Sequence, residues 1–164
     1  MTRAVKKYGL SLFIFRRDIR LYDNTGLIRA CRESGSVVPS FFFQKDLTDK
    51  SSRKFRPNLL QFMLESLTEL EGDLKSMDQR LYLFYVDDLY KEFEKIIVGE
   101  KVGEKIEAVY VNEDYTPYSI KRDERLRSIC KKHDVDFISC FDLLLTRPGD
   151  VLTVDGKPYR KFTP

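Results

Sequence analysis

The chain has no tryptophan and a single histidine, His133, in 164 residues. One histidine excludes a histidine-pair metal centre and an HExxH helix, and it leaves one candidate base for a serine or cysteine nucleophile. His133 sits in KKHDVD, where a helix is ending, and a cation there meets the last carbonyls of that helix, so its role is read as structural. Cysteine is scarce too. Cys31, Cys130 and Cys140 are odd in number and form no CxxC pair, which excludes a disulfide scaffold and points to a reducing, cytoplasmic setting. Long apolar runs are missing: LSLFIF stops after six residues at Arg16 and Arg17, too short for a signal core or a membrane span. Charge of one sign is missing as well, since 29 Lys and Arg against 26 Asp and Glu leave +3, so composition names no polyanion partner. There is no GxGxxG and no GxxxxGKS/T, and Gly99 and Gly103 lie in a Glu/Lys-rich stretch, which excludes the common dinucleotide and P-loop fingerprints.

What is present is alternation. At 42% apolar residues the chain has material for one domain with a sizeable core. Residues 10–15 are a continuous apolar run suited to a strand covered on both faces. A helix follows, capped by Asn24 or Asp23, with Leu27, Ile28, Ala30 and Cys31 inward and Gly35 as its stop. Residues 37–43 form a second strand. The clearest helix spans 57–77, because Leu59, Met63, Leu67, Leu70, Leu74 and Met77 fall on one stripe and Pro57 suits a first turn. Further strands are expected at 81–86, 106–112 and 135–139. Between them come a helix at 89–98, with Phe93, Ile96 and Ile97 inside, and a helix opening at Thr116 and Pro117 that carries Ile120, Leu126 and Ile129. On the latter, Lys121, Arg122, Arg125, Arg127, Lys131 and Lys132 make a basic face, which without an interleaved aromatic platform is read as solvated rather than DNA-binding. This order specifies an α/β fold, a Rossmann-like, doubly wound, mostly parallel five-stranded sheet with helices on both faces. Ligands of such sheets bind outside the carboxyl ends of the strands, so a site is sought in the loops after Phe15, Phe43, Val86 and Asn112.

The first of these loops, FRRDIRLYDN at 15–24, packs three arginines and two aspartates together. An ion-pair network accounts for it, with Asp18 expected to pair with Arg16, Arg17 or Arg20 and Asn24 capping the helix. The segment also resembles the FRRDLRLxDN signature that opens DNA photolyases and cryptochromes. RPNLLQFMLESLTEL at 56–70 is similar to that family's RxxFLLESLxxL helix, and NEDYTPYSIKRD at 112–123 to its DYxPYxxxRD loop. The tail at 147–164 is similar to its PxxVxTxxGxPYxxFTPF segment, so four collinear matches span essentially the whole chain.

The resemblance implies that residues 1–140 are a photolyase-type N-terminal α/β domain, that 141–164 begin an interdomain linker, and that the C-terminal FAD-binding helical domain is absent. The absence of tryptophan agrees, because the family's flavin photoreduction relies on tryptophans in that helical domain. The full-length reaction it implies is light-driven electron donation from reduced FAD to a flipped-out pyrimidine dimer. This domain would hold an antenna chromophore (deazaflavin, folate or flavin) that passes energy to FAD, and alone it is expected to be inactive. The alternatives are a cryptochrome-like photoreceptor domain or a stand-alone nucleotide-binding or regulatory α/β module. The implied partners are the C-terminal FAD-binding domain of the same protein and, through the full-length form, damaged DNA, with no membrane partner and no metal.

An antenna needs a flat apolar slot and a few orienting polar groups. Phe42 or Phe43 can offer a ring face, Lys45 and Arg53 can meet an anionic tail, and Glu113 and Asp114 can accept hydrogen bonds from a heterocycle. With Asp87 at the same edge, the candidate site is Phe43, Lys45, Arg53, Asp87, Glu113 and Asp114. Adjacent strand residues face opposite ways, so at least one of the two phenylalanines belongs to the core. The chain departs from the family at Ile14, where Trp is frequent, at Tyr22, where His is frequent, and at Asp87. There a glycine commonly ends the third strand, and the exchange is expected to crowd the pocket. The DYTPY loop resembles members with a deazaflavin antenna, or none, more than the folate-binding subgroup.

Overall fold

Strand and helix alternate as the apolar pattern requires. The elements are β1 (Tyr8–Phe15), α1 (Thr25–Glu33), β2 (Ser34–Gln44), α2 (Pro57–Ser76), β3 (Tyr82–Val86), α3 (Leu89–Ile97), β4 (Ala108–Asn112), α4 (Pro117–Lys132) and β5 (Asp136–Cys140). The computed structural model describes residues 6–53 and 55–158. All strand pairs are parallel, in the order β3-β2-β1-β4-β5. The chain winds outward from β1 to β3, returns to the other side of β1 and continues to β5. The order therefore reverses between β1 and β4, whose diverging carboxyl ends open a crevice.

Two cores follow from strands that bury both faces. Phe13, Phe15, Phe41, Phe43 and Tyr110 pack under Ala30 of α1 and Leu67, Leu70 and Leu74 of α2. Leu12, Ile14, Val38, Val109 and Val111 pack under Phe93, Ile96 and Ile97 of α3 and Leu126 and Cys130 of α4. The three cysteines are free. His133 ends α4, its Nε2 2.7 Å from Glu94 Oε1 on α3, so it fastens two helix ends. Among the described residues, no helix is long and apolar enough to cross a membrane.

Ile28 and Cys31 of α1, expected inward, are exposed, and three further expectations change. Gly35 does not end α1: Ser34 does, through its N–H to Ala30 O, and β2 starts at once. Gly35 lies in β2 at a close approach, where a Cβ would sit 3.0 Å from the Gly9 carbonyl oxygen of β1. The α2 stripe is buried only in its C-terminal half, where Leu67, Leu70 and Leu74 are 2–5% exposed, whereas Leu59 and Met77 are each 52% exposed. Nearer the start of the helix Leu60 and Met63 are only partly buried against the same core, so the helix meets the sheet most fully over Leu67, Leu70 and Leu74, while β3 forms the edge of the sheet. Leu83 and Tyr85 of that edge strand remain exposed beside it. The third change is on α4, where Arg122 leaves the basic face and turns inward, its side chain 13% exposed. Arg125 and Arg127 stay outside over the Tyr90 and Phe137 rings, at 3.8 and 5.1 Å.

The half-covered stripe predicts unequal costs along α2. Leu70→Ala should destabilise by about 2–5 kcal/mol, whereas Phe62→Ala, at a site 68% exposed, should stay within about 0.5 kcal/mol. Urea unfolding of the two variants checks the difference.

Candidate functional site

The crevice is built on one side chain, Asn112, the last residue of β4 and 2% exposed. Its amide nitrogen donates to Asp18 Oδ2 and to Asn24 Oδ1, and its carbonyl oxygen accepts from Gly26 N–H at 2.9 Å. Asn24 caps α1 by accepting from Leu27 N–H, and its nitrogen donates to the carbonyls of Asp18 and Arg20. Residue 26 must be glycine at this approach, because a Cβ would meet Asn112 Oδ1 at 2.5 Å. The loop after β1, the end of β4 and the start of α1 thus share one buried hydrogen-bond network.

Asp18, expected to pair with Arg16, Arg17 or Arg20, pairs with none of the three guanidinium groups. Its carboxylate accepts from the main-chain N–H of Arg16 and from Asn112. A short side chain turned inward beneath the loop meets the nearest N–H groups, while the long arginines reach across the crevice. Arg16 forms a two-point ion pair with Asp123 of α4, Nη1 to Oδ2 and Nη2 to Oδ1, both 2.8 Å. Arg17 reaches Asp114 at 3.3 Å and Arg20 reaches Asp142 at 2.8 Å. Asp142 also accepts from Thr25 N–H, tying the segment after β5 to α1. Burial, together with Arg122 nearby, holds the Arg16 guanidinium below its usual range, partly offset by Asp123.

Above this network, on the α3/α4 side, is a cleft of about 350 Å³. Ile14, Phe42 and Phe93 form its apolar wall, and Arg16, Arg17, Asp114, Ser119 and Arg122 its polar one. The starts of α3 and α4 both border it, through Leu89 and Thr116. At the rim, Tyr118 Oη donates to Gln44 Oε1 at 3.4 Å, bridging α4 to the end of β2. Burial raises the Asp114 pKa, but the Ser119 hydroxyl, Thr116 N–H, Arg17 and Arg122 together bring it below the usual carboxylate range.

Of the six residues expected at this edge, the structure places Asp114 in the cleft wall. Phe43 faces the opposite core, 8% exposed against the Phe41 ring, and its neighbour Phe42 supplies the cleft with a ring face, as strand alternation requires. Lys45 and Asp87 pair with each other at 3.1 Å in solvent, so Asp87 points away and does not crowd the cleft. Glu113 turns to the Tyr115 hydroxyl and to Arg147, which lies 3.6 Å away. Arg53 lies in the exposed loop before α2, its carbonyl accepting from Arg56. Sequence reasoning passed over Asn112, Asp123 and Asp142 as partners. The signal for two of them was available, since both lie in NEDYTPYSIKRD, but their counterparts are about 100 residues away.

Comparison with known proteins places these features in context. A family model described as DNA photolyase matches residues 11–164. The deoxyribodipyrimidine photo-lyase of Alkalihalophilus pseudofirmus is 29% identical over 153 residues, covering 92% of this chain and 30% of its own length. Cryptochrome-1 of Drosophila melanogaster is 25% identical over 156 residues, covering 90% of this chain and 27% of its own length. An archaeal photolyase structure from Sulfolobus tokodaii superposes with a TM-score of 0.72 and 37% identity, over 88% of this chain and 32% of that one. That structure is described as holding two FAD molecules, with the implication of a novel light-harvesting cofactor. The chain therefore spans about a third of the length of the relatives it matches.

Two outcomes follow from the network. Asn112→Ala would leave Asp18 and the Gly26 N–H short of partners in a buried site, and should cost on the order of 3 kcal/mol in urea unfolding; Asp18→Ala should cost a similar amount. Asp142, raised by burial but lowered more by Thr25 N–H and Arg20, also sits below the usual carboxylate range. A depressed carboxylate contributes stability that is full above its unfolded value and lost as pH falls through its folded one. Stability should therefore decline below about pH 4, and the decline should be shallower in Asp142→Asn.

Proposed function

Because the chain belongs to the DNA photolyase family, we propose that it is the N-terminal light-harvesting domain of a deoxyribodipyrimidine photolyase-like protein whose full-length form repairs pyrimidine dimers in DNA with light and FAD. The observation that carries this is the coincidence of a family match over 11–164 with an aromatic-walled cleft at the point where strand order reverses. The fold of the described residues up to Cys140 fits the antenna domain that we assign to residues 1–140. The stretch from 141, with neither helix nor strand among the described residues after Cys140, fits the start of a linker to a C-terminal FAD-binding domain.

The cleft suits a flat heteroaromatic antenna. Ile14, Phe42 and Phe93 offer apolar contact, while Asp114 and Arg122 can fix the orientation of polar ring edges. Arg122 Nη2, a buried atom without a hydrogen-bond partner among the described residues, is the group that an occupant would satisfy. When bound, such a chromophore absorbs light and passes excitation energy to FAD. The protein's own part is to hold the slot open and dry. Lys45, Arg53, Asp87 and Glu113 belong to the outer rim of this edge in our proposal, and Phe43 supports the strand from beneath. Deazaflavin, folate and flavin remain the candidate classes. The match to a cryptochrome favours a second reading, a photoreceptor domain that uses the same cleft.

The chain alone should split no pyrimidine dimers under blue or near-ultraviolet light with added reduced FAD and a dimer-containing oligonucleotide, because the repair flavin and lesion site are assigned to the C-terminal domain. Repair above the protein-free control would overturn that assignment. Fluorescence titration with 8-hydroxy-deazaflavin, a methenyl folate and FMN should give saturable binding for one class, weakened by Asp114→Ala. Binding indifferent to that substitution would place the pocket elsewhere.

A further inference from the structure

The polar wall of the cleft contains an imbalance of donors. Asp123, 13% exposed, is shared by two arginines: its Oδ1 lies 2.8 Å from Arg16 Nη2 and 2.9 Å from Arg122 Nε, and its Oδ2 takes Arg16 Nη1. The other carboxylates at hand are committed. Asp18 is taken by Arg16 N–H and Asn112. Asp114 accepts from Ser119 and Thr116 and pairs with Arg17. Arg122 Nη2 is left buried with no hydrogen-bond partner among the described residues, and Arg16 Nη2, though close to Asp123, lacks hydrogen-bond alignment. Both side chains are about nine-tenths buried, at 10% and 13% exposure, and both line the cleft. Unsatisfied buried donors of this kind are rare and call for an acceptor. The N-termini of α3 and α4, which border the same space, favour one that carries negative charge.

We propose that the Arg16–Arg122 pair is an anion subsite in the cleft, which selects an occupant bearing a phosphate. This rests on the antenna reading for the ring-binding part of the cleft, and deepens it by naming the substituent that the occupant must carry. A guanidinium presents parallel N–H donors that match a phosphate in a two-point contact, and in a partly dry site such charge-assisted bonds are stronger than neutral ones. Like-charge crowding between Arg122 and Arg16, which helps to hold the Arg16 guanidinium below its usual range, is relieved by the same anion. Arg122 is thus a specificity-determining residue, while Asp123 positions it.

FMN and riboflavin share one ring system and differ in the phosphate, so their affinity ratio reads the subsite directly. By flavin-fluorescence titration the chain should bind FMN at least tenfold more tightly than riboflavin, and inorganic pyrophosphate should compete with FMN. In Arg122→Gln the ratio should fall towards one, because FMN affinity drops by more than riboflavin affinity. Arg122→Lys should keep an intermediate ratio, and Lys131→Gln, which removes a charge from the outer face of α4, should keep the full one. Circular dichroism confirms that each variant is folded. Should Arg122→Gln fail to fold, the wild-type ratio and its fall to an intermediate value in Arg122→Lys decide. Equal affinities in the wild type, or a ratio that survives Arg122→Gln, would overturn the subsite. If neither flavin binds while pyrophosphate still raises the melting temperature in an Arg122-dependent way, the subsite stands and the antenna reading falls. If no probe binds, both fall.

Discussion

One side-chain amide holds the working edge of this domain together. Asn112 ends the interior strand β4 and spends its donors and acceptor on Asp18, Asn24 and Gly26. Those residues belong to the loop after β1 and to the start of α1, so the side chain joins both segments to β4. A planar group with donors on one side and an acceptor on the other can satisfy a carboxylate, a capping asparagine and a helix N–H at once. An aspartate would repel Asp18 and a leucine would strand all three.

With that loop fixed, its arginines fan out to three different elements. Arg16 reaches α4, Arg17 the loop after β4, and Arg20 the segment after β5. The ion pairs are therefore braces between elements rather than contacts within a loop, and they make the polar wall of the cleft out of the same groups that hold the crevice together. Phe42 and Phe93 make the wall opposite from a strand and a helix that are already core. A site assembled from structural parts takes its shape from the packing of the fold itself.

Much of this was legible in the sequence, for identifiable reasons. Continuous apolar runs separated by capped helices specify a parallel sheet with helices on both faces, and the four collinear motifs point to the family. The phenylalanine pair shows where legibility stops. Alternation requires residues 42 and 43 to face opposite cores, but only the register with β3, Phe42 opposite Phe84, and the position of Phe93 decide which ring meets the cleft. Asp18 shows the same limit for charges. Composition says that three arginines and an aspartate share a loop, whereas reach decides the pairing, and the partners lie at positions 114, 123 and 142. Along α2 the stripe identified the inward face but carried no information about how far the sheet extends beneath it.

One flank of the sheet, at β3, is left bare. β3 is an edge strand of five residues, with unpaired backbone on its outer side and the exposed side chains of Leu83 and Tyr85 on one face. Such an edge is a template for strand addition by another chain. Its shortness limits the pairing available, and Arg80 before it and Asp87 after it act as charged gatekeepers. An open strand edge and two exposed apolar side chains thus lie together on one flank, where a second chain would meet backbone partners and apolar contact at once.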